Sequence, residues 1–113
     1  MNKFIFSGRL TGDPETKQVK DMTVTTFSIA VKRGFTKEVD YFNITTWKGV
    51  AENCAKYVSK GSKVLCEGRV QTRSYENKEG KKVYVTDYVA DNVEFEFAKR
   101  EEKQEVPDDD LPF

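Results

Sequence analysis

The sequence predicts a single, mostly β domain carrying one short helix, and three observations support that expectation. Residues 3–10, 23–32, 41–47, 62–75 and 83–97 read as strands, with period-two alternation clearest in the second and third. Only residues 50–59 place apolar side chains at helical spacing. The 113 residues, 37% apolar and 34% charged, can build one modest core without disulfides or a structural metal. No apolar run approaches the ~20 residues of a membrane span. The opening MNKFIFSGRL also lacks an apolar signal segment, so a cytoplasmic chain is the expectation.

The first strand, 3–10, gives way to a turn-rich stretch around Gly12-Asp13-Pro14 and Lys20-Asp21. In 23–32, Phe27, Ile29 and Val31 share one face while Thr26, Ser28, Ala30 and Lys32 share the other. In 41–47, Phe42, Ile44 and Thr46 form a core set, and the opposite face holds Tyr41, Asn43, Thr45 and Trp47. A core strand has no reason to put its single Trp on the polar side. Trp47 therefore either serves a surface or covers the following helix.

In that helix Val50, Cys54 and Val58 recur at i, i+4, i+8, with Gly61 as a plausible stop. The strand 62–75 turns Val64, Cys66 and Val70 inward and Arg69, Gln71, Arg73 and Tyr75 outward. Arginines alternating with polar residues and ending in an aromatic suit phosphates and bases. Glu76–Lys82 reads as a long hairpin loop. In 83–97, Val83, Val85, Val89 and Val93 run in phase, and the charged Asp87 in that phase predicts a bulge or an exposed stretch. Gly8 and Gly68 inside strands predict sharp barrel corners. Five strands with one helix between the third and fourth is the element order of an OB-fold, a small Greek-key barrel.

Chemistry is constrained by what is scarce. There is no His, and Cys54 and Cys66 are the only cysteines. One chain thus lacks the four Cys and His ligands of a structural zinc site, and the His-dependent nucleophile arrangements are excluded. Asp87 and Asp91 could pair loosely, but no nucleophile or Gly-rich phosphate loop accompanies them. Neither an enzyme nor a cofactor is expected, and the two thiols read as small buried hydrophobes.

The net charge of zero hides an asymmetry. Residues 1–100 carry 18 Lys and Arg against 13 Asp and Glu, whereas 101–113 carry one Lys against six acids. A basic body with an acidic end suits a polyanion binder with an interaction tail. Composition shifts after Phe97, so 1–97 is expected to fold and 98–113 to be disordered.

Asn2–Glu15 (NKFIFSGRLTGDPE), the Tyr41–Trp47 strand, Lys60–Tyr75 (KGSKVLCEGRVQTRSY) and the terminal DDDLPF at Asp108–Phe113 together resemble the bacterial and phage single-stranded DNA-binding proteins. The resemblance covers essentially the whole chain. It implies an OB-fold in a homotetramer that coats single-stranded DNA during replication, recombination and repair, in a bacterial cytoplasm or nucleoid. It also implies base stacking at Phe35, Tyr41, Trp47 and Tyr75, three of which the strand faces had already singled out. Many members carry Trp where this chain has Phe35, Tyr41 and Tyr75, and many have a longer linker before the tip.

Stacking tolerates any base, so it gives coating without sequence reading. The expected phosphate contacts are Lys32, Arg33, Lys48, Arg69 and Arg73, with Lys78, Lys81 and Lys82 from the hairpin. The tip, Asp108, Asp109, Asp110, Leu111, Pro112 and Phe113, offers acidic and apolar contacts to partner enzymes of replication, recombination and repair. Two other readings compete: an adaptor that assembles proteins and touches nucleic acid incidentally, and an RNA-binding OB module of the cold-shock type.

Overall fold

The computed structural model describes residues 1–95. The order along the chain is β1 (Phe4–Leu10), β2 (Glu15–Val19), β3 (Met22–Lys32), β4 (Val39–Trp47), α1 (Lys48–Tyr57), β5 (Lys63–Glu76) and β6 (Lys82–Phe95). The strands pair in the order β1-β5-β6-β4-β3-β2, and a further pairing of β1 with β3 closes the barrel. All neighbours are antiparallel except β4 and β6, which run parallel at Ile44↔Tyr88 and Thr45↔Val89. This is the OB-fold that the element order predicts.

One strand was not legible. Glu15–Val19 read as turn, yet it pairs with β3 from Glu15↔Thr26 to Val19↔Met22. Further along, β3 takes up β1 through Leu10↔Ile29 and Arg9↔Ala30. β1 and β2 are thus two stretches of one path along β3, interrupted at Thr11–Pro14, where Pro14 has no N–H to give to a ladder. Lys20 and Asp21, both with positive φ (51° and 69°), make the two-residue hairpin turn whose twist matches its strands. β2 shows no alternation because nearly all of it is exposed. Cross-strand side chains hold it instead: Thr16 Oγ1 lies 2.9 Å from Thr25 Oγ1, and Gln18 donates to Thr23 at 3.0 Å.

Inside the barrel lie Phe4, Leu10, Phe27, Ile29, Ile44, Val64, Cys66 and Ala90, with Cys54 and Val58 added from and just after α1. An aromatic group of Phe4, Phe6, Phe42 and Tyr88 joins this core, with Phe6 stacked on Phe42 at a centroid separation of 4.1 Å. The helix starts and ends two residues earlier than its periodicity suggested, and it buries Ala51 and Cys54. A buried threonine ties it down: Thr25 donates to the Ala51 carbonyl at 2.8 Å, and buried Thr46 of β4 donates to the Thr25 carbonyl of β3, also at 2.8 Å. Burial pushes both thiols up, Cys54 to about 11 and Cys66 to about 12.

Gly8 and Gly68 both lie where another backbone approaches closely. A Cβ on Gly8 would land on the Ala30 carbonyl oxygen, and one on Gly68 on the Val89 carbonyl oxygen. The bulge sits at Gly68 too. Glu67 pairs with Asn92 but Gly68 with Ala90, so Asp91 is the extra residue, four positions beyond the expected Asp87.

That bulge also corrects the reading of β6. Val83, Val85 and Val89 lie opposite Tyr75, Arg73 and Arg69 on the outer face, while Tyr88 and Ala90 turn inward. Past the extra residue the parity flips, and Val93 and Phe95 reach the core. The expected long loop at Glu76–Lys82 is short as well, because both strands extend until only Asn77–Lys81 remain. There the Asn77 carboxamide oxygen accepts from the N–H groups of Glu79 and Lys81. The tail and its tip, Asp108–Phe113, lie outside the described residues.

Candidate nucleic-acid interface

The outer face is continuous across three strands because the pairings align it. Arg69 of β5 is opposite Val89 of β6, Val89 is beside Thr45 of β4, and Tyr41 and Trp47 flank Thr45 on the same side. From Arg69 this face continues up the β5–β6 hairpin through Gln71 and Arg73 to Tyr75, with Asp87, Val85 and Val83 opposite. Tyr41 is 67%, Tyr75 50% and Trp47 36% exposed. Such large, solvent-facing aromatics on a sheet that already has a core on its other side offer free π-faces.

Trp47 is the best formed of these positions. It ends β4 and caps α1, and with Lys48, Arg69, Val89 and Asp91 it lines a cleft of about 650 Å³. Lys48 beside it has φ of 59°, a left-handed conformation unusual for a residue with a Cβ. Trp47 and Lys48 are chain neighbours, and the fold brings Arg69 of β5 to the same cleft.

Phe35 is fully exposed at the tip of the loop joining β3 to β4. The loop is closed at its base by Arg33, whose Nε and Nη2 donate to Asp40 and whose Nη1 donates to Glu38 at 2.8 Å. This pair raises the Arg33 guanidinium and lowers the Asp40 carboxyl, through the hydrogen bond first and the charge second in the case of Arg33. Arg33 is therefore engaged on all three nitrogens, and its role in this structure is to hold the Phe35 loop.

The other two arginines are held more lightly. Arg73 donates from Nε to Asp87 at 2.7 Å, and Arg69 from Nη1 to Asp91 at 3.0 Å. Each of the two aspartates weighed for an enzyme thus orients an arginine. Lys32, Lys48, Lys78, Lys81 and Lys82 are exposed and carry no ion pair among the described residues. Lys78 and Lys81 stand on the short hairpin turn.

One aromatic escaped the sequence reading. Tyr84 is 75% exposed, opposite Ser74, with Lys82 Nζ 5.9 Å from its ring centre. It lies on the reverse side of the hairpin from Tyr75. Its position one residue out of phase with Val83 and Val85 was the available signal.

Comparison with known proteins agrees with this geometry. The model of the single-strand binding protein family matches residues 1–96. Single-stranded DNA-binding protein 2 of Staphylococcus aureus (strain COL) is 46% identical over 110 residues, covering 92% of this chain and 79% of the relative. Single-stranded DNA-binding protein 1 of S. aureus (strain MSSA476) is 48% identical over 101 residues, covering 84% of this chain and 65% of the relative. Single-stranded DNA-binding protein 2 of Listeria monocytogenes serovar 1/2a is 44% identical over 101 residues, covering 84% and 63%. With the barrel, its outward aromatics and these matches in hand, the chain belongs to the single-strand binding protein family.

Proposed function

We propose that the chain binds and coats single-stranded DNA without sequence specificity, stacking bases on Phe35, Tyr41, Trp47 and Tyr75. Lys32, Lys48, Arg69 and Arg73, with Lys78, Lys81 and Lys82 of the hairpin, hold the phosphates. Such coating protects the strand during replication, recombination and repair. The observation that carries the reading is the cleft in which half-exposed Trp47 lies beside Lys48 and Arg69, an aromatic face framed by two cations. Duplex DNA hides its base faces, so this arrangement selects single strands by access alone.

Two further parts belong to the reading. The acidic tip Asp108–Phe113 recruits partner enzymes, its aspartates meeting a basic rim and Phe113 an apolar pocket. The reading also includes assembly as a homotetramer in the bacterial cytoplasm; Ile5 and Leu65, exposed on the side of β1 and β5 away from the core, support contact between copies of the chain. An adaptor would instead tolerate loss of the aromatics.

Fluorescence anisotropy of labelled oligo-dT and of a duplex of equal length tests the binding. The expected result is saturation with the single strand at concentrations where the duplex gives no signal. Equal binding of both would refute stacking as the source of selectivity.

A further inference from the structure

A second cleft, of about 350 Å³, opens on the outer side of β3 and β4, and its walls include Asp13, Glu15, Thr26, Ser28, Asn43 and Thr45. No Lys or Arg lines it. Register fixes where it lies. Ala30 pairs with Tyr41 and Val24 with Trp47, and between those two pairs stand Ser28↔Asn43 and Thr26↔Thr45. Glu15 of β2 extends the Thr26–Thr45 row by one strand. At the rise of a β-strand, Tyr41 and Trp47 are roughly 20 Å apart along β4. A DNA strand stacked on both rings therefore has to cross this floor.

The floor differs in chemistry from the rest of the face. Asp13 accepts the Lys60 N–H on Oδ1 at 2.8 Å, which holds the carboxylate in place and leaves Oδ2 open. Glu15 has no ion pair among the described residues. Two carboxylates with no cation beside them repel phosphate, so the sugar–phosphate backbone is kept off this floor and bases are left to cross it. A carboxylate can only accept a hydrogen bond, and it needs an N–H or O–H partner. Cytosine presents an N4 amino group, from which Asp and Glu accept, whereas thymine presents the O4 acceptor at the same place. The hydroxyls of Thr26, Ser28 and Thr45 and the carboxamide of Asn43 both donate and accept, so they suit either base. The discrimination thus falls to the two acids.

We propose that this cleft reads a base edge: Glu15 and Asp13 accept from the exocyclic amine of a base held between Tyr41 and Trp47, so that cytosine is favoured over thymine at this one place. The inference rests on the single-strand-binding reading above, and it lays a base preference over a coat that otherwise tolerates any sequence.

The test measures the Kd of the full chain for oligo-dC and for oligo-dT of equal length by fluorescence anisotropy, at mildly alkaline pH where cytosine is uncharged, and reads the ratio of the two. Glu15→Gln adds a donor that suits thymine O4, and Asp13→Asn keeps an acceptor for the Lys60 N–H while turning the open oxygen into a donor. A control, Glu52→Gln on the exposed side of α1, removes the same charge elsewhere. Losing a charge shifts both affinities together, so only a base-edge contact moves the ratio. The cytosine advantage is expected to fall about fivefold in the acid variants, the lower end of what one base-edge contact discriminates, and to hold in the control. A fall in only one acid variant would assign the amine to that carboxylate and keep the cleft. A ratio that holds in both acid variants, or falls equally in the control, would overturn the proposal while leaving the single-strand reading in place. If the unaltered chain bound neither oligonucleotide, that reading would fall first and the cleft with it.

Discussion

Arg73 gives its Nε–H to Asp87 at 2.7 Å, and both side chains stand on the outer face of the β5–β6 hairpin, two residues from Tyr75. A guanidinium held by Nε still presents its two terminal nitrogens, which is the fork that suits a phosphate. Arg33 offers the opposite case, because Asp40 and Glu38 occupy Nε, Nη1 and Nη2 together. The two arginines look alike in sequence and differ in what they have left to give.

From this contrast, Arg73→Ala is expected to weaken oligo-dT binding and to make the salt slope shallower by about 0.7. Arg33→Ala is expected to leave the slope unchanged and to act on the order of the Phe35 loop. Titrations at four or more salt concentrations separate the two.

Stacking is worth about 1–3 kcal/mol per base by alanine substitution. Trp47→Ala, Tyr41→Ala and Tyr75→Ala are each expected to reduce affinity roughly 5- to 150-fold while thermal midpoints stay close to that of the unaltered chain. Anisotropy and melting measured on the same samples check this.

Lys48 holds a left-handed backbone that costs a residue with a Cβ about 1–2 kcal/mol. Lys48→Gly is therefore expected to unfold at higher denaturant concentration and yet to bind single strands less well, because the cleft loses a cation. Such a trade between stability and function is the mark of strain kept for a site. Urea melts and oligo-dT titrations give the two halves.

Where β5 and β6 approach closely, Gly68→Ala drives a methyl into the Val89 carbonyl. The expected loss is at least about 1–3 kcal/mol. Gly12→Ala, with nothing within 4 Å of the added Cβ, is expected to change stability by no more than about 0.5 kcal/mol. Chemical denaturation of the two variants makes the comparison.

The core thiols supply a pH dependence. Burial raises Cys54 to about 11 and Cys66 to about 12, above the ordinary thiol value of 9.0. Because the folded values are raised, their contribution is fully present below pH 9 and is lost as pH climbs through the folded values. In that window each thiol lowers stability by about 1.4 kcal/mol per pH unit, as the unfolded chain ionises and the folded one does not. A Cys54→Ala/Cys66→Ala variant is expected to show a correspondingly flatter decline in urea melts between pH 9 and 11.

Much of this was legible in the residues. The half-buried alternation of β3 and β4 assigned Phe27, Ile29, Ile44 and Thr46 to the core, and the misplaced Trp47 pointed to the solvent-facing side of β4. Gly8 and Gly68, read as corners, lie where another backbone approaches closely. What failed did so for stated reasons. β2 has no apolar face to betray it, since its stability comes from β3 and from threonine and glutamine ladders. The valines of β6 run in one phase in sequence but divide in the structure: Val83 and Val85 are part-exposed on the outer side, Val89 is buried beneath the Trp47 cleft, and Val93 reaches the core because the bulge at Asp91 flips the parity. Ion pairing is invisible to spacing, so the sequence does not separate Arg33, held by Asp40 and Glu38, from Arg73, held by Asp87.

The central claim is that a base stacks on Trp47, and one measurement addresses it directly. The chain has a single Trp, so its emission during titration with oligo-dT, and separately with duplex of equal length, reports that site alone. The account predicts strong quenching by the single strand only, weakening as salt rises. Unchanged emission with oligo-dT, in a solution where light scattering also detects no complex, would contradict it.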